Sequence, residues 1–238
     1  MKPLAAQLRL ELTLLARNGE SLLLTLGIPI LLLVFFATVD VLPIDGEPIT
    51  FLAPGVLALA VLSTSFVNLA IATGFEREYG VLKRLGATPL GRPRLLAAKT
   101  LAILVVEAVQ ISVLWVIALA LGWDPSIRVG FVAAVVLGTL ACAGLALWLA
   151  GTLKALVTLA AANGLYLVLL LLSGMVIPLT ELPGPIRAIA RGLPSGALAE
   201  AIRGSLGPSG AVPGRAWAVL VVWAIVAPTA ATRLFRWE

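Results

Sequence analysis

Residues 51–74 read FLAPGVLALAVLSTSFVNLAIATG, a run of 24 residues without a charged side chain. A helix needs about 20 apolar residues to cross the hydrocarbon core of a bilayer, so this run predicts a membrane span. A charged segment follows at once and must emerge on one side of that membrane. Its central residues are Glu76, Arg77, Glu78, Tyr79, Gly80, Val81, Leu82, Lys83, Arg84 and Leu85.

The composition of the whole chain agrees with this interpretation. Of 238 residues, 61% are hydrophobic and 12% are charged, whereas soluble domains carry about one-quarter charged residues. We therefore expect an all-α polytopic membrane protein with a single transmembrane domain over residues 1–238. The net charge of +5 is explained by Lys and Arg in cytoplasmic loops, so no nucleic-acid partner is expected.

Six apolar runs are long enough to be read as spans, and an amphipathic segment precedes them. In residues 1–20, Leu4, Leu8, Leu12 and Leu15 recur at helical spacing. That spacing predicts an N-terminal interfacial helix, with a helical extension of the first span as the alternative. The predicted spans are 22–41, 51–74, 100–121, 129–151, 155–177 and 216–232.

Orientation follows from the basic residues. With the N-terminus inside, twelve Lys and Arg side chains fall on one side and five on the other, which predicts that both termini are cytoplasmic. The loop 75–99 then faces the cytoplasm, and its pattern predicts a short helix, a turn and a second helix. Arg outnumbers Lys thirteen to four, which is consistent with a GC-rich bacterial genome and hence with a bacterial inner membrane.

The segment 178–214 falls on the external side. It is rich in proline, yet residues 186–190 and 197–202 have a helical pattern. Two short helices broken by prolines, tucked against or dipping into the outer leaflet, fit this pattern best. The alternative is a solvated loop.

The chain lacks the residues of several enzyme classes. It contains no histidine, which excludes Ser-His hydrolases, His-ligated zinc sites and HExxH proteases. No G-x-x-x-x-G-K-[ST] sequence occurs either. We therefore predict no catalytic residue, no metal site and no bound cofactor, and any ATP must be hydrolysed by another subunit.

Polar residues inside the spans are candidates for a substrate path. Glu107 is the one ionisable residue well inside a span, where a carboxylate costs about 2.5–3.5 kcal/mol unless it faces protein or water. Gln110 lies three residues further on the same helix face and is expected to hydrogen-bond it. Glu107 is read either as a substrate or coupling contact or as a protonated packing residue. The candidate path residues are Ser65, Asn68, Glu107, Gln110, Asn163 and Tyr166.

Two motifs resemble a known family. Residues 76–89, E-R-E-Y-G-V-L-K-R-L-G-A-T-P, with Lys99 opening the next span, are similar to the first cytoplasmic loop of ABC-2 type exporter permeases, where E-R-E-x-G-T-L-E-x-L-x-x-T-P is common. Val81 and Lys83 stand where Thr and Glu are common. By size and loop style the chain looks most similar to permeases of the daunorubicin-resistance type.

The second motif lies between the fifth and sixth predicted spans. Ser173-Gly174 with Pro178, then Leu182-Pro183 and Leu193-Pro194-Ser195, resemble the family's S-G-x-x-x-P…L-P…N-P stretch, although Pro194-Ser195 replaces Asn-Pro. With the six spans and the interfacial helix, the resemblance covers essentially the whole chain.

This resemblance implies a permease subunit in the plasma membrane that exports a hydrophobic or amphipathic compound, such as a drug, a lipid or a lipid-linked product. It implies two ABC ATPase subunits that hold ATP and Mg, and a second permease chain, identical or a sister. Residues 76–85 would couple to the ATPase: Glu76 and Glu78 by pairing with its basic residues, and Tyr79, Val81 and Leu82 by filling its cleft.

Two other function classes remain open. One is an ion-coupled secondary transporter that uses Glu107 as its proton site. The other is a membrane scaffold whose loop binds a partner without moving any substrate. An intramembrane enzyme is disfavoured because the chain has neither histidine nor paired carboxylates.

Overall fold

Helices make up almost the whole structure, and the part of the chain described here contains no strand, so the predicted all-α class is confirmed. The computed structural model describes residues 2–39, 48–88, 90–126, 128–176, 178–207 and 210–236. Its α-helices are α1 Lys2–Arg17, α2 Gly19–Thr38, α3 Pro48–Leu62, α4 Leu69–Glu78, α5 Val81–Gly86, α6 Arg92–Ala120, α7 Gly130–Thr152, α8 Ala155–Leu171, α9 Gly184–Gly192, α10 Pro194–Leu206 and α11 Gly214–Leu234.

The uncharged run at 51–74 lies inside one continuous helical rod, Pro48–Glu78. Helices α3 and α4 are joined in this rod by a π-helical segment, Ser63–Asn68. A π segment inserts extra backbone into an α-helix and is frequent at functional sites. Here it falls where Ser, Thr and Asn residues interrupt the aliphatic run. We call Pro48–Glu78 the long rod.

Within the described residues, four helical stretches are long and apolar enough to cross a membrane: Pro48–Glu78, Arg92–Ala120, Gly130–Thr152 and Gly214–Leu234. The apolar stretches Leu23–Thr38 and Ala155–Leu171 are shorter. Helix α8 ends earlier than the span predicted at 155–177, because a turn follows in which Gly174 has a φ of +76°. The predicted ends Val41 and Ile177 lie outside the described residues. A multi-pass membrane protein is therefore supported, and the count of six stays a prediction.

The helices run back and forth between two ends of a bundle. At one end, Lys99 at the start of α6 contacts both α1 and the end of α4. At the same end, the backbone N–H of Arg236, just after α11, donates to the carbonyl of Gly151 on α7. We call this the coupling end. The segment 178–214 lies at the opposite end, which we call the far end, where Ser195 bonds to Leu169 on α8.

Helix α10 is buried along most of its length and packs against α3, α7 and α11. Glycine makes this close packing possible. A Cβ atom on Gly196 would lie 2.2 Å from the carbonyl oxygen of Ala190, and one on Gly138 would lie 2.5 Å from Leu198 Cδ1. The segment 178–214 is thus folded into the bundle at α10 and is not a solvated loop there.

Helix α1 is separate from α2, since Asn18 between them is not helical. It lies against α6, where Gln7 and Glu11 are buried, while Leu10 and Leu14 are exposed. The predicted helical extension of the first span is therefore broken at Asn18. A position on the membrane surface stays a prediction.

Candidate functional site

Three ionisable side chains from three helices meet at the coupling end. The ammonium of Lys99 on α6 lies 3.1 Å from the carboxylate of Glu11 on α1 and 2.6 Å from that of Glu76 on α4. The Lys99 side chain is only 1% exposed. Gln7 adds a hydrogen bond, donating to Glu11 over 2.7 Å. We call Glu11, Glu76 and Lys99 the Lys99 cluster. It ties the N-terminal helix to the two helices that flank the charged loop.

The next residue makes a second tie. Arg77 donates from Nη1 to the carbonyl oxygen of Ala150 on α7 over 3.0 Å. Glu76 and Arg77 are thus used within the chain, although the sequence places both among the coupling residues. Glu76 was expected to pair with a basic residue of an ATPase, but the structure pairs it with Lys99.

The residues after Arg77 form an exposed surface. Tyr79 is 71% exposed and Val81 is 39% exposed. Between them Gly80 has a φ of +70°, which ends α4 and allows α5 to leave in a new direction. Leu82, expected to fill a partner's cleft, is instead fully buried in this chain, and Leu85 is half-buried. Within residues 78–85 the exposed side chains are Glu78, Tyr79, Val81, Lys83 and Arg84, which we call the docking surface.

A second feature is a groove of about 490 Å³ between α2, the long rod and α8, which we call the α2–α8 groove. Its lining is mixed, with aliphatic side chains such as Ile28 and Leu59 beside amides and hydroxyls. Small-molecule sites commonly combine apolar walls with a few polar groups that fix orientation. The polar residues that line it are Asn18, Thr25, Ser63, Asn68, Asn163 and Tyr166.

The structure brings together half of the predicted path residues. Asn68, Asn163 and Tyr166 line the α2–α8 groove. Ser65 does not, because it is buried and donates to the carbonyl of Val61, one turn back in the π-distorted helix. Glu107 does not line the groove either.

Gln110 supports the groove wall from behind. Its Nε2 donates to the backbone carbonyl of Thr25, a lining residue, over 2.6 Å, and its Oε1 accepts from the hydroxyl of Thr64 over 2.9 Å. It thereby links α6 to α2 and to the π segment. These contacts take the place of the expected hydrogen bond between Gln110 and Glu107.

A family model for the ABC-2 type transporter matches residues 4–206, which is 203 of the 238 residues. The match includes the Lys99 cluster, the docking surface, the α2–α8 groove and helix α10. The chain belongs to the ABC-2 type transporter family. A comparison with curated proteins gave no match. The protein is accordingly a membrane permease domain, of a kind that is generally the non-catalytic part of its transporter. Similarity to the daunorubicin-resistance type stays a prediction.

Glu107 of the permease is completely buried between α6 and α7. Its Oε2 lies 2.5 Å from the hydroxyl oxygen of Thr139, which also lies 2.8 Å from the carbonyl oxygen of Val135. A hydroxyl carries a single hydrogen. The Thr139 hydroxyl therefore donates to one of these two oxygens at a time, and it links Glu107 on α6 to α7. The other oxygen, Oε1, has no hydrogen-bond partner in the described structure.

The second motif of the permease forms one contact region at the far end. Ser173 accepts a hydrogen bond from the N–H of Met175 over 3.0 Å, and Ser195 donates to the carbonyl of Leu169 over 3.0 Å. Arg203 on α10 joins the two halves, because its Nη2 donates to the carbonyl of Gly174 over 3.0 Å. Both halves of the motif can be recognised in the sequence. The structural role of Arg203 cannot, because in the sequence it is only one of the basic residues of an external loop.

Arg203 also holds the start of the long rod. Its guanidinium carbon lies 4.2 Å from the ring centroid of Phe51, a cation–π contact. A Cβ atom on Gly55, one turn further, would lie 2.3 Å from the carbonyl oxygen of Met175. The long rod, the Ser173-Gly174 turn and α10 are therefore packed together at the far end.

Proposed function

We propose that this permease is the membrane subunit of an ATP-driven exporter of hydrophobic or amphipathic compounds. An ABC ATPase subunit binds the docking surface on the cytoplasmic side, and the complete transporter has two permease chains and two ATPase subunits. ATP and Mg are held by the ATPase alone. Both termini of the permease lie in the cytoplasm of a bacterial cell.

The observation that carries this proposal is the connection between the docking surface and the spans. Tyr79 and Val81 expose apolar surface beside charged residues, as expected for a helix that seats in a partner's groove. Immediately before them, Glu76 and Arg77 are fastened to α6, α1 and α7. A force applied to this surface is therefore transmitted through α4 to α1, α6 and α7.

The α2–α8 groove supports the substrate class. A mixed lining of aliphatic, amide and hydroxyl groups suits a molecule with an apolar body and a few polar atoms. The helices beside it expose large apolar side chains, including Leu31 at 64% and Leu167 at 56%. In the proposed transporter the second permease chain covers this face and closes the groove.

The position of Glu107 weighs against the secondary-transport alternative. A coupling carboxylate must exchange its proton with water or with a substrate path, but Glu107 is fully buried and lies outside the α2–α8 groove. Its contact with Thr139 gives it a packing role between α6 and α7. We therefore assign energy coupling to the docking surface.

The first test is affinity purification of the permease coexpressed with its candidate ATPase. The double variant Tyr79→Asp, Val81→Asp is expected to lose the ATPase while it remains folded, because both side chains are exposed. Val129→Asp, Ile189→Asp is the matched control, with exposed apolar residues at the far end. Equal recovery with both double variants would disprove the docking assignment.

A flux measurement separates an exporter from a scaffold. Permease and ATPase are reconstituted in vesicles, and the movement of an amphipathic fluorescent dye is followed with and without ATP. Tyr166 lines the α2–α8 groove, so Tyr166→Ala should change the rate of dye transport without loss of ATPase binding. A complex that binds and hydrolyses ATP but moves no amphipathic compound would favour the scaffold.

A further inference from the structure

A second groove, of about 320 Å³, lies between α6, α7 and α11. We call it the α6–α11 groove. Helix α11 packs closely along α7 but only lightly against α6, which leaves a channel between them. The close approach of α7 and α11 requires Gly144, where a Cβ atom would lie 2.5 Å from the nitrogen of Pro228.

The lining of this groove is almost entirely aliphatic. Its buried floor includes Leu147 and Ala231, and its rim includes the exposed residues Ala97 and Leu101. Thr100 and Thr232 also line it, but each hydroxyl donates a hydrogen bond within its own helix. Thr100 donates to the carbonyl of Leu96, and Thr232 donates to the carbonyl of Thr229. The groove therefore suits a hydrocarbon chain and offers little to a polar ligand.

The length of the groove matches one leaflet of a bilayer. On α6 its lining residues run from Pro93 to Leu104. At about 1.5 Å per residue this stretch is roughly 16 Å long, close to half of the ~30 Å hydrocarbon core. The stretch starts at the coupling end, so the groove lies in the leaflet on that side.

Basic residues adjoin the lining residues at the coupling end of the groove. Arg92 and Arg94 flank Pro93 on α6, and Arg233 follows Thr232 on α11, with Arg236 just beyond the end of that helix. Arg94 and Arg233 are both exposed. A ligand with an acyl chain in the groove would thus have its polar end beside these basic side chains.

We propose that the α6–α11 groove binds an anionic phospholipid of the leaflet at the coupling end, with one acyl chain along α6 and the phosphate beside Arg94 and Arg233. The inference depends only on the permease lying in a bilayer and not on the ATPase. It goes beyond the α2–α8 groove, because it assigns a resident lipid and not a transported compound to a different face.

Native mass spectrometry of the purified permease tests this assignment, with phosphatidylglycerol and phosphatidylcholine as the two probes. Each arginine near a membrane surface favours an anionic lipid by a free energy equivalent to about fivefold in affinity. The variant Arg94→Gln, Arg233→Gln should therefore lose about twenty-five-fold in affinity for phosphatidylglycerol and little for phosphatidylcholine. Lys154→Gln, an exposed lysine at the same end, is the control and should change less than twofold.

A second variant tests the groove itself. Ala97→Phe places a ring in the groove and should remove one bound lipid of either kind, whereas Ala108→Phe, at an exposed position of α6 outside the groove, should not. Equal lipid binding by these two variants, or equal affinity of the wild type for the two lipids, would overturn the proposal. So would the loss of a permease dimer in Ala97→Phe, because the groove would then be covered by a second chain.

Discussion

Replacement of Lys99 by methionine should strongly destabilise the permease. Methionine keeps much of the buried volume but removes the only positive charge that the Lys99 cluster contains. The carboxylates of Glu11 and Glu76 lie 3.1 Å and 2.6 Å from the Lys99 nitrogen. The contacting oxygens are therefore less than about 6 Å apart, and both side chains are largely buried.

The size of the effect follows from that separation. At an effective dielectric constant near 20, two unit charges about 6 Å apart repel by about 3 kcal/mol. The removal of one partner from a buried ion pair typically costs about 3–5 kcal/mol, since the remaining charge is left without compensation. We expect Lys99→Met to lower the free energy of unfolding by an amount in that range.

The assay is unfolding of the purified permease in mixed detergent micelles, followed by circular dichroism during titration with sodium dodecyl sulfate. The decisive comparison is the triple variant Glu11→Gln, Glu76→Gln, Lys99→Met, which carries no charge in the cluster. A buried ion group can often be replaced by uncharged residues at little cost, so the triple variant should regain most of the lost stability. If the triple variant is as unstable as Lys99→Met alone, the electrostatic argument is wrong.

Three further predictions concern other contacts of the permease. Glu107→Gln should unfold with nearly wild-type free energy and retain transport, because the amide keeps an oxygen that can accept from the Thr139 hydroxyl; Glu107→Met should lose about 0.6–1.7 kcal/mol, and transport abolished by Glu107→Gln would restore the secondary-transport alternative. Arg203→Gln should lose about 2–4 kcal/mol, the sum expected for its cation–π contact and its charged hydrogen bond to Gly174, and proteolysis near residue 174 should become faster; unchanged cleavage would contradict this role. Gly196→Ala should cost about 1–3 kcal/mol by overpacking against Ala190, whereas Gly192→Ala, with no atom within 4 Å of its Cβ position, should be close to neutral in the same thermal-melting assay.

The sequence predicts the helical class, and each of the six predicted spans overlaps a helix of the structure. A long uncharged stretch such as 51–74 favours a helix in a bilayer, because a helix pairs the backbone N–H and C=O groups within the segment itself. The ends of the helices are less well predicted. Helix α8 stops at Leu171, not near 177, because a turn at Gly174 and the tie to Arg203 end it, and neither has a periodic signature.

The candidate site is predicted only in part for a similar reason. Composition identifies the charged segment as a surface, but it does not distinguish the side chains that point outward from those that point back into the bundle. Glu76 is turned toward Lys99, which is 23 residues away, and that lysine also holds Glu11, which is 88 residues away. Such partners are set by how α1 packs on α6, a tertiary arrangement that local sequence patterns do not contain.

The two parts of the candidate site share a single structural element. Asn68 lines the α2–α8 groove and Glu78 begins the docking surface, and both lie on the long rod, ten residues apart. At 1.5 Å per residue that is about 15 Å of uninterrupted helix. The start of the long rod contacts Arg203 through Phe51, and its last turn is paired with Lys99 through Glu76. Between these two fixed points the only departure from α-helical geometry is the π segment, where Ser63 and Asn68 face the groove. A displacement of the docking surface must therefore tilt the groove wall or alter the π segment, and in either case it changes the shape of the α2–α8 groove.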